Sequence, residues 1–269
     1  MPNHRTPDRG RILVTRPAHQ AGPLCQRLQD RGYRILRFPA IDLAWRNLNQ
    51  TEEFRLRAAA AQDLLLFTSV NAVAGFRRLM AHRNLPLPCR VAAAAIGTST
   101  AAALEAIGFD QVLAAPPPFT SEALLDLPEL RALAERPVML VTGEGGRGLI
   151  AERLRLDGVR LSILPVYRRV LPDISPEPLL RALQEDDVQL SIVTSGEALT
   201  NLEELLGPKD WSRLQAVPLL TVSQRLAEKA RQAGFSANIL ISPAGDAALA
   251  RAVVGWSEQI TRGGHAHER

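Results

Sequence analysis

Short, nearly continuous apolar runs alternate with longer amphipathic stretches along most of the chain. The apolar runs fall at 11–15, 34–38, 63–68, 91–96, 111–114, 138–142, 161–164, 189–194, 217–222 and 237–241. Most lack strict apolar–polar alternation, which predicts strands covered on both faces. Between them, apolar residues recur at helical spacing over 22–31, 71–80, 100–107, 121–133, 147–157, 198–206 and 225–233. Strands and helices alternating in this way build parallel α/β sheets. The stretch 46–61 is polar and then helical, and its element stays open. Prolines mark loops at 85–89, 116–118 and 171–178, and the last, rich in proline and acid, reads as a linker.

The pattern also repeats. Sliding the chain 126 residues along itself puts Thr68-Ser69 on Thr194-Ser195 and Gly108-Phe109 on Gly234-Phe235. Val91 then falls on Val217, Gly32 on Gly158, and Phe38-Pro39 on Leu164-Pro165; Val14-Thr15 matches Val141-Thr142 with a slip of one. The period is too long for a solenoid and has the size of a domain. Each copy supplies about five strands, enough for a flavodoxin-like doubly wound sheet. The expected fold is therefore α/β, with two similar flavodoxin-like parallel-sheet domains and a ligand cleft between them. From repetition alone the division falls near Arg136.

Composition narrows the partners. The 269 residues are 46% hydrophobic and only 4% aromatic, so the cores are built from Leu, Val, Ile and Ala. The 32 basic and 28 acidic side chains leave a net charge of +4. Apart from Lys209 and Lys229 the cations are arginines, interspersed with acids. That favours small anionic ligands over nucleic acid, which requires a basic stripe or patch. Cys25 and Cys89 have no metal or redox spacing, which suits a reducing compartment. The polar stretch 1–10 has no targeting signature, and no apolar run is long enough to span a membrane. The expectation is a cytoplasmic protein. The tail 261–269 reads as disordered.

In doubly wound sheets ligands bind beyond the carboxyl ends of the strands. The residues there are Thr15-Arg16-Pro17, Thr68-Ser69-Val70-Asn71, Gly97-Thr98-Ser99-Thr100, Thr142-Gly143-Glu144-Gly145, Thr194-Ser195-Gly196 and Ser223-Gln224-Arg225. A single Ser or Thr at such a point is foremost a helix N-cap. Six hydroxyl- or glycine-bearing turns, recurring in both halves, also offer free amides and positive helix ends to carboxylates or phosphates.

Catalytic motifs are sparse. Residues 143–148 (GEGGRG) fit the outline of a dinucleotide fingerprint, but the next strand ends Ile163-Leu164-Pro165-Val166-Tyr167 without the acid that fingerprint needs. The segment is no P-loop, since no Lys-Ser/Thr pair follows. Of the five histidines (His4, His19, His82, His265, His267), His19 alone follows a strand end, and it reads as a solvated loop residue. No nucleophile elbow and no metal-ligand cluster is visible, so neither a metal nor a cofactor is expected. Tyr167, one of two tyrosines, follows two residues after the Pro165 that echoes Pro39. It reads either as a packed aromatic or as a proton donor to a leaving hydroxyl.

The stretches ILVTRP (12–17), LLFTSVNAV (65–73), AIGTSTAAALEAIGF (95–109), VTGEGGRGLIAERL (141–154), LPVYRRV (164–170), IVTSGEAL (192–199) and TVSQRLAEKARQAGF (221–235) together resemble the uroporphyrinogen-III synthase family over nearly the whole chain. The resemblance implies two interleaved α/β domains joined by a two-stranded connector: 1–39 with 170–269, and 40–169. It implies a cyclising hydro-lyase of haem biosynthesis that closes linear hydroxymethylbilane with inversion of ring D. It carries Tyr167 onto the family tyrosine that assists hydroxyl departure. It places Arg16, Thr68, Ser69, Asn71, Gly97, Thr98, Thr100, Gly143, Thr194, Ser195 and Ser223 around the substrate. Where the first half reads Gly97-Thr98-Ser99-Thr100, the second reads Ser223-Gln224-Arg225-Leu226, so Arg225 is an alternative contact to Ser223. The implied partner is a small linear tetrapyrrole, taken by a monomer without nucleic acid or membrane. A transient contact with the preceding pathway enzyme is left open. The competing reading is a two-lobed binding protein for a polyanion, without catalysis.

Overall fold

The apolar runs form strands with helices packed on both faces. The computed structural model describes residues 11–146 and 148–264, with the side chains of 261–264 excepted. Its strands are β1 (Arg11–Val14), β2 (Arg34–Arg37), β3 (Asp42–Trp45), β4 (Leu64–Phe67), β5 (Ala92–Ala95), β6 (Val112–Ala114), β7 (Pro137–Gly143), β8 (Arg160–Val170), β9 (Val188–Ile192), β10 (Leu219–Thr221) and β11 (Ile239–Ile241). They make two sheets, ordered β11-β10-β9-β1-β2 and β3-β8-β7-β4-β5-β6. The chain correspondingly divides into two compact units. One is the chain up to Asp42 together with Val170 onward; the other is Leu43–Arg169.

In the first unit β1 pairs in parallel with β2 and β9, and β10 with β9 and β11. In unit order this is the flavodoxin-like 2-1-3-4-5 arrangement. Successive residues of β1 enter opposite cores, as the pleat requires. Leu13 joins Leu199, Leu202, Trp211 and Leu214 on one face. Ile12 and Val14 join Leu24, Leu249, Val253 and Trp256 on the other.

The second unit repeats the plan. β4 pairs in parallel with β5 and β7, β5 with β6, and β7 with β8. Leu65 and Phe67 face Phe76, Leu104 and Met139. Leu64 and Leu66 face Leu124, Ile150 and Leu154. A shift of 126 residues carries β9, β10 and β11 onto β4, β5 and β6, and β1 and β2 onto β7 and β8. The two sheet orders match under that shift. Each sheet thus combines the first two strands of one sequence repeat with the last three of the other.

Several elements differ from the periodicity reading. β3 lies in a stretch with no assigned strand, and it is followed by a helix, Gln50–Arg57. That helix starts from a capping box in which Asn49 and Glu52 satisfy each other's backbone N–H. The single helix expected over 121–133 is broken into Ser121–Leu125 and Pro128–Arg131. Pro128 forces the preceding residue out of the helical region, and Leu127 is extended (φ −61°, ψ 137°). Helix Glu177–Gln184 occupies the end of the expected linker. Helix Asp246–Gly264, unassigned from sequence, covers the start of the tail expected to be disordered. It packs through Leu249, Val253 and Trp256, an i, i+4, i+7 stripe. The rest of that tail, and residues 1–10, lie outside the described residues.

Candidate active site

β8 continues past Pro165, where the proline suggests a stop, and this extension creates the site. The register runs Val141↔Leu164 and Thr142↔Pro165, then shifts so that Gly143 faces Tyr167. Val166 is the extra residue of a bulge, a device that re-aims a side chain. As a result Leu164, Val166 and Tyr167 all lie in one core, although Val166 and Tyr167 are adjacent in sequence. Tyr167 is 3% exposed. Its ring lies so close to Gly143 that an added Cβ would fall 2.6 Å from Cζ.

The Tyr167 hydroxyl lies 3.2 Å from Ser69 Oγ. The same Ser69 Oγ accepts the Ala72 N–H at 3.1 Å as the N-cap of helix Val70–His82. Beside it, Thr68 Oγ1 donates to Thr142 Oγ1 at 3.2 Å. This bond joins the ends of β4 and β7, the neighbours at which the strand order of this sheet reverses. That reversal is where doubly wound sheets take ligands. A pocket of about 360 Å³ opens there, lined among others by Arg46, Thr68, Thr142, Gly143, Glu144 and Gly146. Gly145 has φ +70°, a left-handed conformation natural to glycine, and it lets the turn fold over this pocket.

The structure brings Thr68, Ser69, Gly143 and Tyr167 together. Asn71 is half-buried in the first turn of helix Val70–His82. Gly97 caps helix Thr98–Ala106 at the end of β5; Thr98 is exposed there, whereas Thr100 is 6% exposed and packed on the inner side. The other expected residues belong to the first unit. Arg16 follows β1 and is ion-paired with Asp246. Ser195 Oγ accepts the Ala198 N–H at 3.1 Å, next to half-buried Thr194. Ser223 Oγ accepts the Leu226 N–H at 3.3 Å, and Arg225 is exposed. The Ser69, Ser195 and Ser223 hydroxyls are therefore N-caps, and each helix start keeps amides and positive dipole for an anion. Lys229 Nζ donates to Gly196 O at 2.7 Å and to Thr200 Oγ1 at 2.9 Å, adding a cation beside the Ser195 turn.

Arg46 escaped the sequence reading. Its backbone N–H donates to Val166 O at 3.2 Å, next to Tyr167. Its guanidinium lies 3.2 Å from Glu52 and 3.6 Å from Glu144. No local pattern marks it, because β3 was not recognisable as a strand.

Other candidate chemistry recedes. Burial pushes the Cys25 and Cys89 thiols up, so both stay protonated at neutral pH and are poor nucleophiles. His19 and His82 are exposed, and the remaining histidines lie outside the described residues. Arg147 of the glycine-rich segment also lies outside them. Among the described residues no group of three or more His, Cys, Asp or Glu is placed to hold a metal. No described helix is long and apolar enough to cross a membrane.

The family model for uroporphyrinogen-III synthase HemD matches residues 23–249. The chain is 32% identical to uroporphyrinogen-III synthase of Escherichia coli strain K12 over 246 residues, covering 90% of this chain and 99% of that one. It is 34% identical to the Salmonella typhimurium enzyme of the same name over 248 residues, with the same coverage. Among solved structures it is similar to a mutant uroporphyrinogen III synthase from the extremely thermophilic bacterium Thermus thermophilus (TM-score 0.60, 22% identity, 94% of this chain and 99% of that one). The Helicobacter pylori 26695 uroporphyrinogen-III synthetase is also similar (TM-score 0.59, 16% identity, 91% and 99%). At such identities the structures speak for the fold, and it is the sequence matches across both units that show the chain to belong to the uroporphyrinogen-III synthase family.

Proposed function

We propose that this chain closes hydroxymethylbilane to uroporphyrinogen III, with Tyr167 assisting departure of the hydroxyl. Family membership supports the reaction; the phenol of Tyr167, hydrogen-bonded to the Ser69 cap at the end of β4, carries the assignment of the site. In the proposed sequence the hydroxymethyl C–O bond breaks and the hydroxyl takes the phenolic proton, leaving as water. The electron pair of the pyrrole nitrogen conjugates into the resulting azafulvene. The substituted carbon of ring D attacks to form a spiro intermediate. The bond from this spiro carbon to the methylene shared with ring C then breaks, that methylene bonds instead to the unsubstituted α-carbon of ring D, and the proton this carbon loses on rearomatisation restores the phenol.

The carboxylates of the substrate suit the capped helix starts at Ser69, Gly97, Ser195 and Ser223, together with Arg16, Asn71, Thr98, Thr194 and Arg225. Such groups hold the two reacting ends in one orientation, an effect that is worth several kcal/mol in well-placed systems. The enzyme is proposed to act as a cytoplasmic monomer.

The test supplies hydroxymethylbilane and resolves the uroporphyrinogen isomers. The type III isomer is expected. Type I alone, at the spontaneous rate, overturns the proposal, and tight binding of the substrate without turnover would favour a binding protein. Tyr167→Phe is expected to lower kcat by about tenfold to a hundredfold while moving KM less, since the hydroxyl acts as the leaving group departs. An unchanged kcat would make Tyr167 a packing residue.

A further inference from the structure

Arg46 directly follows β3 and lies beside Val166 of β8, where the next strand, β7, ends at Gly143 opposite Tyr167. Its main chain is tied to Val166 of β8, and the Glu144 N–H after β7 donates to Tyr167 O at 2.8 Å. Its guanidinium is about one-fifth exposed and forms part of the wall of the pocket that holds Thr68, Thr142 and Gly143. It also lines a second pocket of about 510 Å³ that carries Arg57, Arg78 and Arg83. Glu53, paired with Arg83, lines the same pocket, and Glu52 and Glu144 stand against Arg46, so four arginines face three carboxylates there.

Its two acidic partners differ in kind. Glu52 is 8% exposed and doubly engaged: one carboxylate oxygen accepts the Asn49 N–H at 3.0 Å in the capping box, and the other faces Arg46 at 3.2 Å. Glu52 therefore anchors the Nη2 end of the guanidinium. Glu144 is 52% exposed, stands 3.6 Å from Arg46 Nε, and belongs to the glycine-rich turn next to Gly145. An ion pair that open and that long contributes little and is easily exchanged.

The geometry points to Arg46 as a substrate-carboxylate residue, with Glu144 holding its place until a ligand carboxylate displaces it. This rests on the proposed reaction and adds to it a recognition contact outside the capped helix starts. Guanidinium N–H groups make charge-assisted hydrogen bonds to carboxylates, and with Nη2 held by Glu52 the Nε–H that Glu144 faces is the donor an incoming carboxylate would take. The exchange breaks no covalent bond; the incoming carboxylate takes over the Glu144 position and the turn is released.

The experiment measures KM and kcat for type III product formation at low ionic strength in the wild type, Arg46→Gln, Arg46→Lys and Glu144→Ala. Loss of a charge-assisted contact predicts a KM raised about tenfold in Arg46→Gln, with kcat moved far less. Arg46→Lys recovers part of that loss, and added salt erodes the wild-type advantage. Glu144→Ala, which removes the competitor, keeps KM or lowers it by about twofold. An unchanged KM in Arg46→Gln overturns the inference. So does a KM in Glu144→Ala that rises as far as in Arg46→Gln, because the pair would then be a strut. Should Arg46→Gln fail to fold, Arg46→Lys and Glu144→Ala decide alone. The wild-type isomer ratio tests the proposed reaction separately, so failure of that reaction is distinguishable from failure of this inference.

Discussion

Gly143 and Tyr167 meet with no room to spare. A Cβ on Gly143 would fall 2.6 Å from Tyr167 Cζ, 2.7 Å from Cε2 and 2.9 Å from Oη. Contacts that short force the ring to move, and the ring is walled in by the core of the second unit. Gly143→Ala is therefore expected to cost about 1–3 kcal/mol, the range for overpacking a well-filled site. It should also disturb the Tyr167–Ser69 hydrogen bond and lower turnover. Urea unfolding alongside turnover checks this; a variant with both values at wild-type level would show that the ring shifts freely. At this scale the physics is steric: glycine is required by what packs on it.

At the scale of elements, helix Gln50–Arg57 is short and weakly amphipathic, and it holds its place by specific ties. Its capping box organises Glu52, and Glu53 is clamped by Arg83, the C-cap residue of helix Val70–His82. Arg83 Nε donates to both Glu53 oxygens, at 2.7 and 2.6 Å. These hydrogen bonds from Arg83 hold the Glu53 carboxyl below its ordinary value of 4.5. The folded carboxylate binds a proton less tightly than the unfolded one. The pair thus stabilises fully above the unfolded value and loses its effect as pH falls toward the lower, folded value. The pair is partly exposed, so Glu53→Gln is expected to lower Tm by about 2 °C or less at neutral pH. The gap between variant and wild type should close as acid is added. A Tm gap that widens in acid would contradict the assignment.

At the scale of the whole molecule the dominant feature is the exchange of strands between the sequence repeats. The first sheet pairs β1 with β9, joining residues such as Leu13 and Ser191. The second pairs β4 with β7, joining Leu65 and Met139, much closer in sequence. Closing the longer loop costs about 0.8 kcal/mol more by chain entropy, and long-range pairing also slows folding. The second unit is one uninterrupted segment, whereas the first needs both chain ends. In refolding followed by pulsed hydrogen exchange, amides of β4, β5 and β7 are therefore expected to gain protection before those of β1 and β9. Simultaneous protection, or the reverse order, would refute this. The early unit is the one that carries Tyr167, Ser69 and Arg46.

What local chemistry controls could be read along the chain. Doubly covered strands show as unbroken apolar runs, and the turns at Thr68-Ser69, Gly97-Thr98, Thr194-Ser195 and Ser223 show because capping is a nearest-neighbour matter. The duplication shows because it is a pattern of identities. Non-local features stayed hidden. β3 is short, and its pairing with β8 leaves no periodic trace. The bulge at Val166 was masked by Pro165, which halts a strand in isolation yet is accommodated where the register shifts. Arg46 acquires its surroundings from Val166 and Glu144, both remote in sequence. Two copies of one pattern are equally compatible with pairing within a repeat or across repeats; packing in three dimensions selects across, because strand pairing depends on which edges meet and not on which residues are neighbours along the chain.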